Sequence, residues 1–218
     1  MTAPARQALV VRGGWEGHAP VETTELFRPA LVDAGFEVTV AEDLDVYRDE
    51  ALMSRTDLVV QCWTGGTLTR EQSEGLRRAV HAGTGLAGWH GGLVATFADD
   101  HEYLRMVGGL FLFHPAEFVE HRVRIEADHP IVAGIEDFAV HTEQYWMLSD
   151  ARNEVLATTV VDPADGGQGE GAVGMPVVWT RQWGRGRIFF SAIGHRIEDL
   201  RQPEVHTLTA RGLVWASR

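Results

Sequence analysis

The first half of the chain alternates between short apolar runs and stretches whose apolar residues recur at helical spacing. Three of the apolar runs have the length and composition of buried strands: residues 8–11, 36–40 and 58–63. Residues 21–34 carry apolar side chains three and four positions apart, and Gly35 follows, which predicts a helix and its end. Thr69 and Gln72 have the spacing of a capping box, so a second helix is predicted to begin there and to end at Gly83. This alternation predicts a doubly wound, mainly parallel sheet with helices on both faces.

The second half of the chain has a different pattern. Residues 118–125 alternate between apolar and charged side chains, which is typical of a half-exposed strand that pairs antiparallel or lies at a sheet edge. Three further strands and a last helix are predicted at residues 153–161, 176–182, 187–192 and 203–215. Residues 162–174 are rich in Gly, Asp and Glu, which predicts a surface loop. Because neither an internal repeat nor a linker interrupts these patterns, we expect one α/β domain over residues 1–218, with antiparallel strands added to the parallel sheet.

The composition limits the partners and the location. The chain of 218 residues has a net charge of -12, and its 19 basic residues are scattered, which argues against nucleic acid and anionic membranes as partners. No apolar run approaches the length of a membrane span, and the first residues lack the apolar segment of a secretory signal. Cys62 is the one cysteine, so an internal disulfide is excluded and a reducing cytoplasm is the expected location.

A glycine-flanked histidine is the most informative motif in the chain. It lies in Gly88-Trp89-His90-Gly91-Gly92, after a short apolar run and before another helical stretch. A buried strand that breaks into such a turn has the geometry of a nucleophile elbow, which holds the side chain at its apex above the sheet. Hydrolases have Ser at the apex and amidotransferases have Cys, whereas this chain has His90. We expect Gly91 and Gly92 to supply backbone freedom and close approach, so the position is suited to chemistry or binding.

Three histidines closely follow predicted strands: His18 the first strand, His90 the elbow strand, and His195 a late strand. In an open α/β sheet, ligands bind beyond the carboxyl ends of the strands. Each histidine alone is better explained as a solvent-facing or hydrogen-bonded side chain, but the three together favour a shared pocket. Neutral imidazoles act near pH 7 as acids, bases or metal ligands. Glu143 is the best candidate for an accompanying carboxylate, with Tyr145 beside it.

Three tryptophans also lie at or just beyond strand ends, at Trp15, Trp63 and Trp89. Aromatic faces beside a polar pocket suit the apolar face of a sugar ring, and we expect this role for Trp15 and Trp63. Packing between sheet and helix explains Trp89 better. His121 lies on the apolar face of its strand and is interpreted as a core residue. Cys62 is predicted to lie in mid-strand, buried and away from the elbow, so a reactive thiol is not expected.

Several motifs follow one another along the chain. They are Gly14-Trp15-Glu16-Gly17-His18, Gly88-Trp89-His90-Gly91-Gly92, His129-Pro130-Ile131 with Gly134-Ile135, Glu143-Gln144-Tyr145, Pro176-Val177-Val178-Trp179, and Gly184-Arg185-Gly186-Arg187 leading to Gly194-His195. No single motif is decisive, but their order and spacing together resemble the ThuA-like family, which is named for trehalose utilisation. The resemblance covers residues 8–215. The fold of that family is similar to that of class I glutamine amidotransferases.

The resemblance implies a flavodoxin-like, doubly wound sheet in which His90 occupies the place of the amidotransferase cysteine. His195 would then lie near the position of that enzyme's catalytic histidine. Without a thiol at position 90, hydrolysis of glutamine through a thioester is not available, so the likeness describes the fold and not the activity. The family name implies a role in disaccharide catabolism, through oxidised (keto) sugars.

The first hypothesis for the function is an enzyme that acts on a sugar or a sugar-derived carbonyl compound. His90 and His195 would exchange protons with the substrate, and Glu143 would orient it or act as the partner base. The residues assigned to catalysis are His18, His90, Glu143 and His195, and those assigned to substrate binding are Trp15, Trp63, Gly91 and Tyr145. A variant of this hypothesis places a divalent metal such as zinc on His18, His90 and His195, with an open position for water or substrate.

The second hypothesis is a non-catalytic module, whose pocket senses a sugar or a metal and reports to a partner. The missing nucleophile at the elbow motivates it. In both cases the expected partner is a small sugar-like molecule, and the sequence leaves a homo-oligomer open. Turnover of candidate sugars would distinguish the enzyme from the sensor.

Overall fold

The computed structural model describes residues 5–115, 117–162 and 172–218. Within these ranges the chain forms eleven strands: β1 (Arg6–Gly14), β2 (Phe36–Ala41), β3 (Leu58–Thr64), β4 (Gly85–Trp89), β5 (Gly109–Phe113), β6 (Val119–Ile125), β7 (Phe138–Thr142), β8 (Trp146–Ser149), β9 (Glu154–Val161), β10 (Val173–Trp183) and β11 (Gly186–Ser191). The same ranges contain seven α-helices: α1 (Pro20–Asp33), α2 (Glu50–Arg55), α3 (Arg70–Ala82), α4 (Gly91–Val94), α5 (His101–Val107), α6 (Ile197–Arg201) and α7 (Pro203–Ala216). Short 3-10 helices follow β1 and β2 at Glu16–His18 and Leu44–Arg48. In this part of the chain, no helix is long and apolar enough to cross a membrane.

Nine of the strands form one sheet in the order β2-β1-β3-β4-β11-β10-β9-β6-β7. The pairs from β2 to β11 are parallel, and every pair beyond β11 is antiparallel. Strand β4 is buried along its whole length, as expected for a parallel strand covered on both faces. The predicted doubly wound, mainly parallel sheet with added antiparallel strands is therefore confirmed.

Helices cover both faces of this sheet. On one face α1 packs against α7 and α6, and α7 crosses β11 and β4. The other helical layer contains α3 with its neighbours α2 and α5. The chain leaves β1 for β2 on one side and returns to β3 on the other, so the strand order reverses at β1. In such sheets the crevice beyond the carboxyl ends at this reversal is where ligands bind.

The local signals in the sequence agree with the helix ends. Thr69 and Gln72 form the predicted capping box at the start of α3, because each side chain bonds the other residue's backbone N–H. Gly83 ends that helix with a φ of 123°, a conformation that glycine adopts without steric cost. Asp100 caps α5 by accepting hydrogen bonds from two backbone N–H groups of the first turn.

Strand β6 pairs with both β9 and β7, which confirms the expected antiparallel pairing, and β7 occupies the edge of the sheet. Two features differ from the sequence expectation. Strands β5 and β8 form a separate two-stranded sheet that the pattern did not predict, because the partners are short and distant in sequence. Most of the predicted loop at 162–174 lies outside the described residues, and positions 173 and 174 already belong to β10.

Candidate functional site

His90 occupies the strained turn between β4 and α4. Its φ is 49° and its ψ is -141°, a conformation that costs free energy and persists only where the surroundings enforce it. The backbone N–H of His90 donates to Ser191 O at 2.6 Å, and Nδ1 lies 2.8 Å from Ala192 O. Since a carbonyl oxygen only accepts, Nδ1 carries the proton of this bond. The Nε2 atom is thereby left to face the carboxyl ends of the parallel strands.

The two glycines after His90 allow close packing. The positive φ angle at this turn is that of His90, and neither Gly91 nor Gly92 has a positive φ. A Cβ on Gly91 would lie 2.4 Å from His18 Cε1, and a Cβ on Gly92 would lie 2.9 Å from Cys62 Cα. The expected close approach therefore exists, whereas the expected freedom of the glycine backbone is not used. The prediction that Cys62 lies in a buried strand is confirmed, but the expectation that it lies away from the elbow is wrong.

A buried polar network supports the elbow from below. Gln61 Nε2 donates to Gly92 O at 3.1 Å and to the hydroxyl of Tyr103 at 2.7 Å. The Tyr103 hydroxyl in turn donates to Leu93 O at 2.8 Å, and Tyr47 donates to Gln61 Oε1 at 2.9 Å. Two carbonyl groups of α4 are thus held by side chains that are themselves fully paired, which fixes the turn that carries His90.

Four side chains converge above this turn: His18, His90, Glu143 and His195. One potential ligand atom from each of them lies within 4.8 Å of every other. The three imidazole centroids are 4.7, 4.9 and 5.4 Å apart. The histidines follow β1, β4 and β11, whose carboxyl ends meet because these strands are parallel, and Glu143 follows β7. The structure therefore brings together the histidines and the carboxylate that the sequence singled out.

Glu143 bridges two of the histidines. Its Oε2 lies 3.1 Å from His90 Nε2, and its Oε1 lies 3.1 Å from His195 Nδ1. His114 Nε2 approaches the same Oε1 at 3.5 Å. The hydroxyl of Tyr145 lies 2.7 Å from His90 Nε2, so two oxygen atoms compete for that one ring nitrogen. Among the described residues, His195 Nδ1 is buried without a hydrogen bond of good geometry.

Burial determines the charge of the cluster. Desolvation, together with the nearby His90 and His195, lowers the pKa of His18 to about 3. Desolvation also lowers the pKa of His90. Burial alone would raise the pKa of Glu143, but the adjacent imidazoles of His195 and His90 hold it well below its usual range. At neutral pH the cluster thus presents neutral imidazoles at His18 and His90 beside an ionised carboxylate.

Aromatic side chains surround the cluster unequally. Trp15 is 56% exposed, and its ring meets His18 edge-on at 4.7 Å between centroids. Phe118 lies 5.3 Å from His195 on the β6 side. Trp63, in contrast, packs over Gly13 and Gly66, and within the described ranges it makes no ring contact with the cluster. Trp89 is buried, in agreement with its interpretation as a packing residue.

Several residues that contact the cluster were not assigned to it from the sequence, which left His114 and His129 open as turn residues that could reach the pocket. His114 and Phe118 lie in or next to the loop before β6, where the sequence indicates a turn and the start of a strand. Thr64 ends β3, and its hydroxyl lies 2.8 Å from His18 Nδ1. The end of β3 was the one available signal, since it shares the ligand-binding edge of the sheet. His129 lies elsewhere and accepts a hydrogen bond from Ile131 N at 3.2 Å.

The family follows from a comparison with known proteins. A family model described as "ThuA: Trehalose utilisation" matches residues 7–216. The chain belongs to the ThuA family. No curated protein sequence matches the chain at a significant level.

Solved structures agree with this membership in the ThuA family. A ThuA-like protein from Bacteroides uniformis ATCC 8492 is 18% identical with a TM-score of 0.80, over 99% of this chain and 93% of that one. A ThuA-like protein from Parabacteroides merdae ATCC 43184 is 19% identical with a TM-score of 0.79, over 98% and 90% of the two chains. The cytoplasmic protein STM1381 from Salmonella typhimurium LT2 is 12% identical with a TM-score of 0.68, over 97% and 100%. At these identities the likeness shows a shared fold.

Proposed function

We propose that His18, His90, His195 and Glu143 bind a divalent metal ion of the zinc class in an enzyme that acts on a sugar or sugar-derived carbonyl compound. The convergence of four nitrogen and oxygen donors within 4.8 Å carries this proposal. Three imidazoles and a carboxylate are a donor set that suits Zn²⁺ and related transition metals.

The geometry of the donors fits an ion after a small adjustment. Metal–nitrogen bonds are about 2.0 to 2.1 Å long, so two ligands of one ion lie at most about 4.2 Å apart. The separations of 3.1 Å from Glu143 to His90 and His195 are within that limit. The widest separation of 4.8 Å exceeds it by less than about 1 Å, which side-chain rotation can close.

Two ring nitrogens support the same interpretation. The bond from His90 Nδ1 to Ala192 O fixes the tautomer and turns the lone pair of Nε2 toward Glu143. A carboxylate and a lone pair repel one another at 3.1 Å unless a cation lies between them. The buried Nδ1 of His195 also lacks a hydrogen-bond partner among the described residues. A metal ion would relieve this repulsion, taking the place of the Tyr145 hydroxyl at His90 Nε2, and would give His195 Nδ1 a partner.

An ion in this position would polarise a carbonyl group or lower the pKa of a bound water. Glu143 would hold a proton or complete the ligand set, since its two oxygens face different histidines. Tyr145 would orient His90 by stacking on its ring, at 4.2 Å between centroids. Exposed Trp15 offers a ring face at the entrance, which suits the apolar face of a sugar. The family description, trehalose utilisation, supports a disaccharide or its keto derivative as the substrate class.

Metal content and turnover test this function together. The purified protein is analysed for bound metal, stripped with a chelator, and titrated with Zn²⁺ and Co²⁺ before incubation with a panel of disaccharides and keto-disaccharides. We expect about one ion per chain and metal-dependent product formation. His101→Ala, on the exposed surface of α5, is the matched control for His18→Ala.

The outcomes separate the hypotheses. Turnover that persists in stripped protein would favour metal-free acid–base chemistry by His90, His195 and Glu143. Metal or sugar binding without turnover would favour the sensor. Failure of His18→Ala to weaken metal binding would exclude this metal centre.

A further inference from the structure

We propose that Asp199 is a positioning residue, which sets the distance between Glu143 and His195 and so determines whether the cluster can hold an ion. The expected effect of Asp199 on metal binding rests on the proposed function. Its effect on the distance between Glu143 and His195 does not depend on that function. Asp199 lies in the first turn of α6 and is 8% exposed. It touches neither Glu143 nor His195 through its hydrogen bonds. It acts through the neighbours of both.

The carboxylate of Asp199 joins two segments that are distant along the chain, the end of β7 and the loop after β11. Its Oδ2 accepts a hydrogen bond of 2.7 Å from Thr142 Oγ1, and Thr142 directly precedes Glu143. The same Oδ2 accepts from the backbone N–H of Arg196 at 2.9 Å, and Arg196 directly follows His195. One oxygen atom thus connects the residue before the carboxylate to the residue after the imidazole.

Arg196 makes further contacts between the same two segments. Its Nη2 donates to Asp199 Oδ1 at 3.2 Å and to His141 O at 2.8 Å. Its guanidinium group also lies 4.1 Å from the ring centre of Phe118, which contacts His195. The loop after β11 and the end of β7 are therefore connected by two routes, one through the carboxylate of Asp199 and one through the guanidinium group of Arg196, its ion-pair partner.

Only a carboxylate can serve this arrangement. An ionised Asp is an acceptor on both oxygens, and Asp199 receives three donors. In Asp199→Asn, one oxygen becomes an amide that donates, so at least one of the three bonds is replaced by two facing donors. Thr142→Val keeps the side-chain shape and removes one donor alone. These two changes should move Glu143 relative to His195 to different extents.

The experiment compares Asp199→Asn and Thr142→Val with the wild type and with Asp57→Asn. Asp57 is a matched control, because its carboxylate also accepts a backbone N–H, from Gln7 at 2.7 Å, and an arginine, Arg218 at 2.6 Å. It lies at the opposite end of the sheet, before β3. Each protein is crystallised without metal, melted, and titrated with Co²⁺ while the visible spectrum is recorded.

We expect Asp199→Asn to weaken Co²⁺ binding about 10- to 100-fold and to change the spectrum, as loss of an outer-shell partner does in metal sites. Thr142→Val should weaken it less, and Asp57→Asn should lower the melting temperature with unchanged affinity and spectrum. In the metal-free crystals, the separation of Glu143 Oε1 and His195 Nδ1 should increase from the present 3.1 Å in Asp199→Asn.

An unchanged separation in both Asp199→Asn and Thr142→Val would overturn the inference. If the wild type binds no Co²⁺, the metal centre of the proposed function fails, while the crystallographic distance still decides the role of Asp199. If Asp199→Asn does not fold, the nearly isosteric Thr142→Val tests the inference instead, through the separation of Glu143 Oε1 and His195 Nδ1 and the Co²⁺ titration.

Discussion

Gly91 lies directly against the imidazole of His18. A Cβ built on Gly91 would lie 2.4 Å from His18 Cε1 and 2.8 Å from Nδ1, closer than real Cβ atoms approach other heavy atoms. His18 cannot retreat easily, because Trp15 contacts its ring and Thr64 holds its Nδ1. The elbow and the histidine after β1 are therefore fitted to each other, and a single methyl group at position 91 would separate them.

Gly91→Ala should consequently impair the site more than the fold. We expect a loss of about 1 to 3 kcal/mol in the free energy of unfolding, the usual cost of overpacking, and a loss of metal or sugar binding. Gly174→Ala is the control, because a Cβ there meets no atom of the described residues within 4 Å. Denaturant melts and a Zn²⁺ titration provide the measurement. A Gly91→Ala protein that binds like the wild type would contradict the contact with His18.

The histidines of the cluster should differ from His121 in their effect on stability. His18→Ala and His195→Asn are expected to change the melting temperature little or to raise it, because residues gathered for function often reduce stability. His90→Ala should destabilise more, since it leaves Ala192 O without its partner at 2.8 Å.

His121 is half-buried on β6, and its Nδ1 bonds Val119 O at 3.2 Å. His121→Ala should therefore lower the free energy of unfolding by about 1 kcal/mol and leave ligand binding intact. Thermal melts of these variants, with a metal titration of each, test both statements. Loss of binding in His121→Ala alone would mean that the cluster has been misassigned.

Metal-free protein should lose stability as the pH falls from 6.5 toward 3. Burial lowers the pKa of His18 from 6.5 to about 3. Between these two pH values the imidazole is protonated in the unfolded chain and neutral in the folded chain. Stability then falls with decreasing pH, by at most about 1.4 kcal/mol per unit. Below pH 4.5 the lowered pKa of Glu143 adds to the loss, because its ionised form stabilises the fold.

Urea unfolding of chelator-treated protein at several pH values measures this slope. His18→Gln, which has no titrating group at that position, should show a flatter dependence between pH 6.5 and 4. Parallel slopes for the two proteins would mean that His18 titrates normally in the folded state.

Cys62 should not react in the folded protein. Burial raises the pKa of its thiol to about 11, and the side chain is 3% exposed. A thiol reagent should therefore modify Cys62 only at the rate of unfolding, and completely in denaturant. Ammonia release from glutamine should be absent, because the apex of the elbow is His90 and not a thiol. Thiol-dependent release of ammonia would refute this prediction.

The sequence predicted the fold well because its signals are local. The capping box at Thr69, the apolar runs of the parallel strands and the glycine that ends α3 each act over a few residues. The same logic identified His18, His90 and His195, since a residue just beyond a parallel strand is brought to one edge by the topology.

The remaining features depend on distances that no local pattern contains. The contact of Gly92 with Cys62 arises from the packing of α4 on β3, and Trp63 packs over Gly13, its partner in the neighbouring strand β1. Phe118, which precedes β6, contacts His195 after β11, although two strands separate β6 from β11 in the sheet. The role of Asp199 likewise requires the end of β7 to meet the loop after β11. Three strands separate β7 from β11 in the sheet, so only the hydrogen bonds of Asp199 and Arg196 show this contact.

The four donors also have a consequence for assembly. They come from the ends of β1, β4, β7 and β11, which are separated along the chain by long intervening segments. Bringing the ends of such long segments together costs conformational entropy, so the four donors do not converge on an ion in the unfolded chain. The ion binds only after the parallel and antiparallel parts of the sheet have joined. A bound ion would then tie the two parts together, and its free energy of binding would add to the free energy of unfolding. A fragment that ends before β7 would contain His18 and His90 but neither Glu143 nor His195, so it would hold no ion. Loss of metal during denaturation would report that the two parts of the sheet have separated.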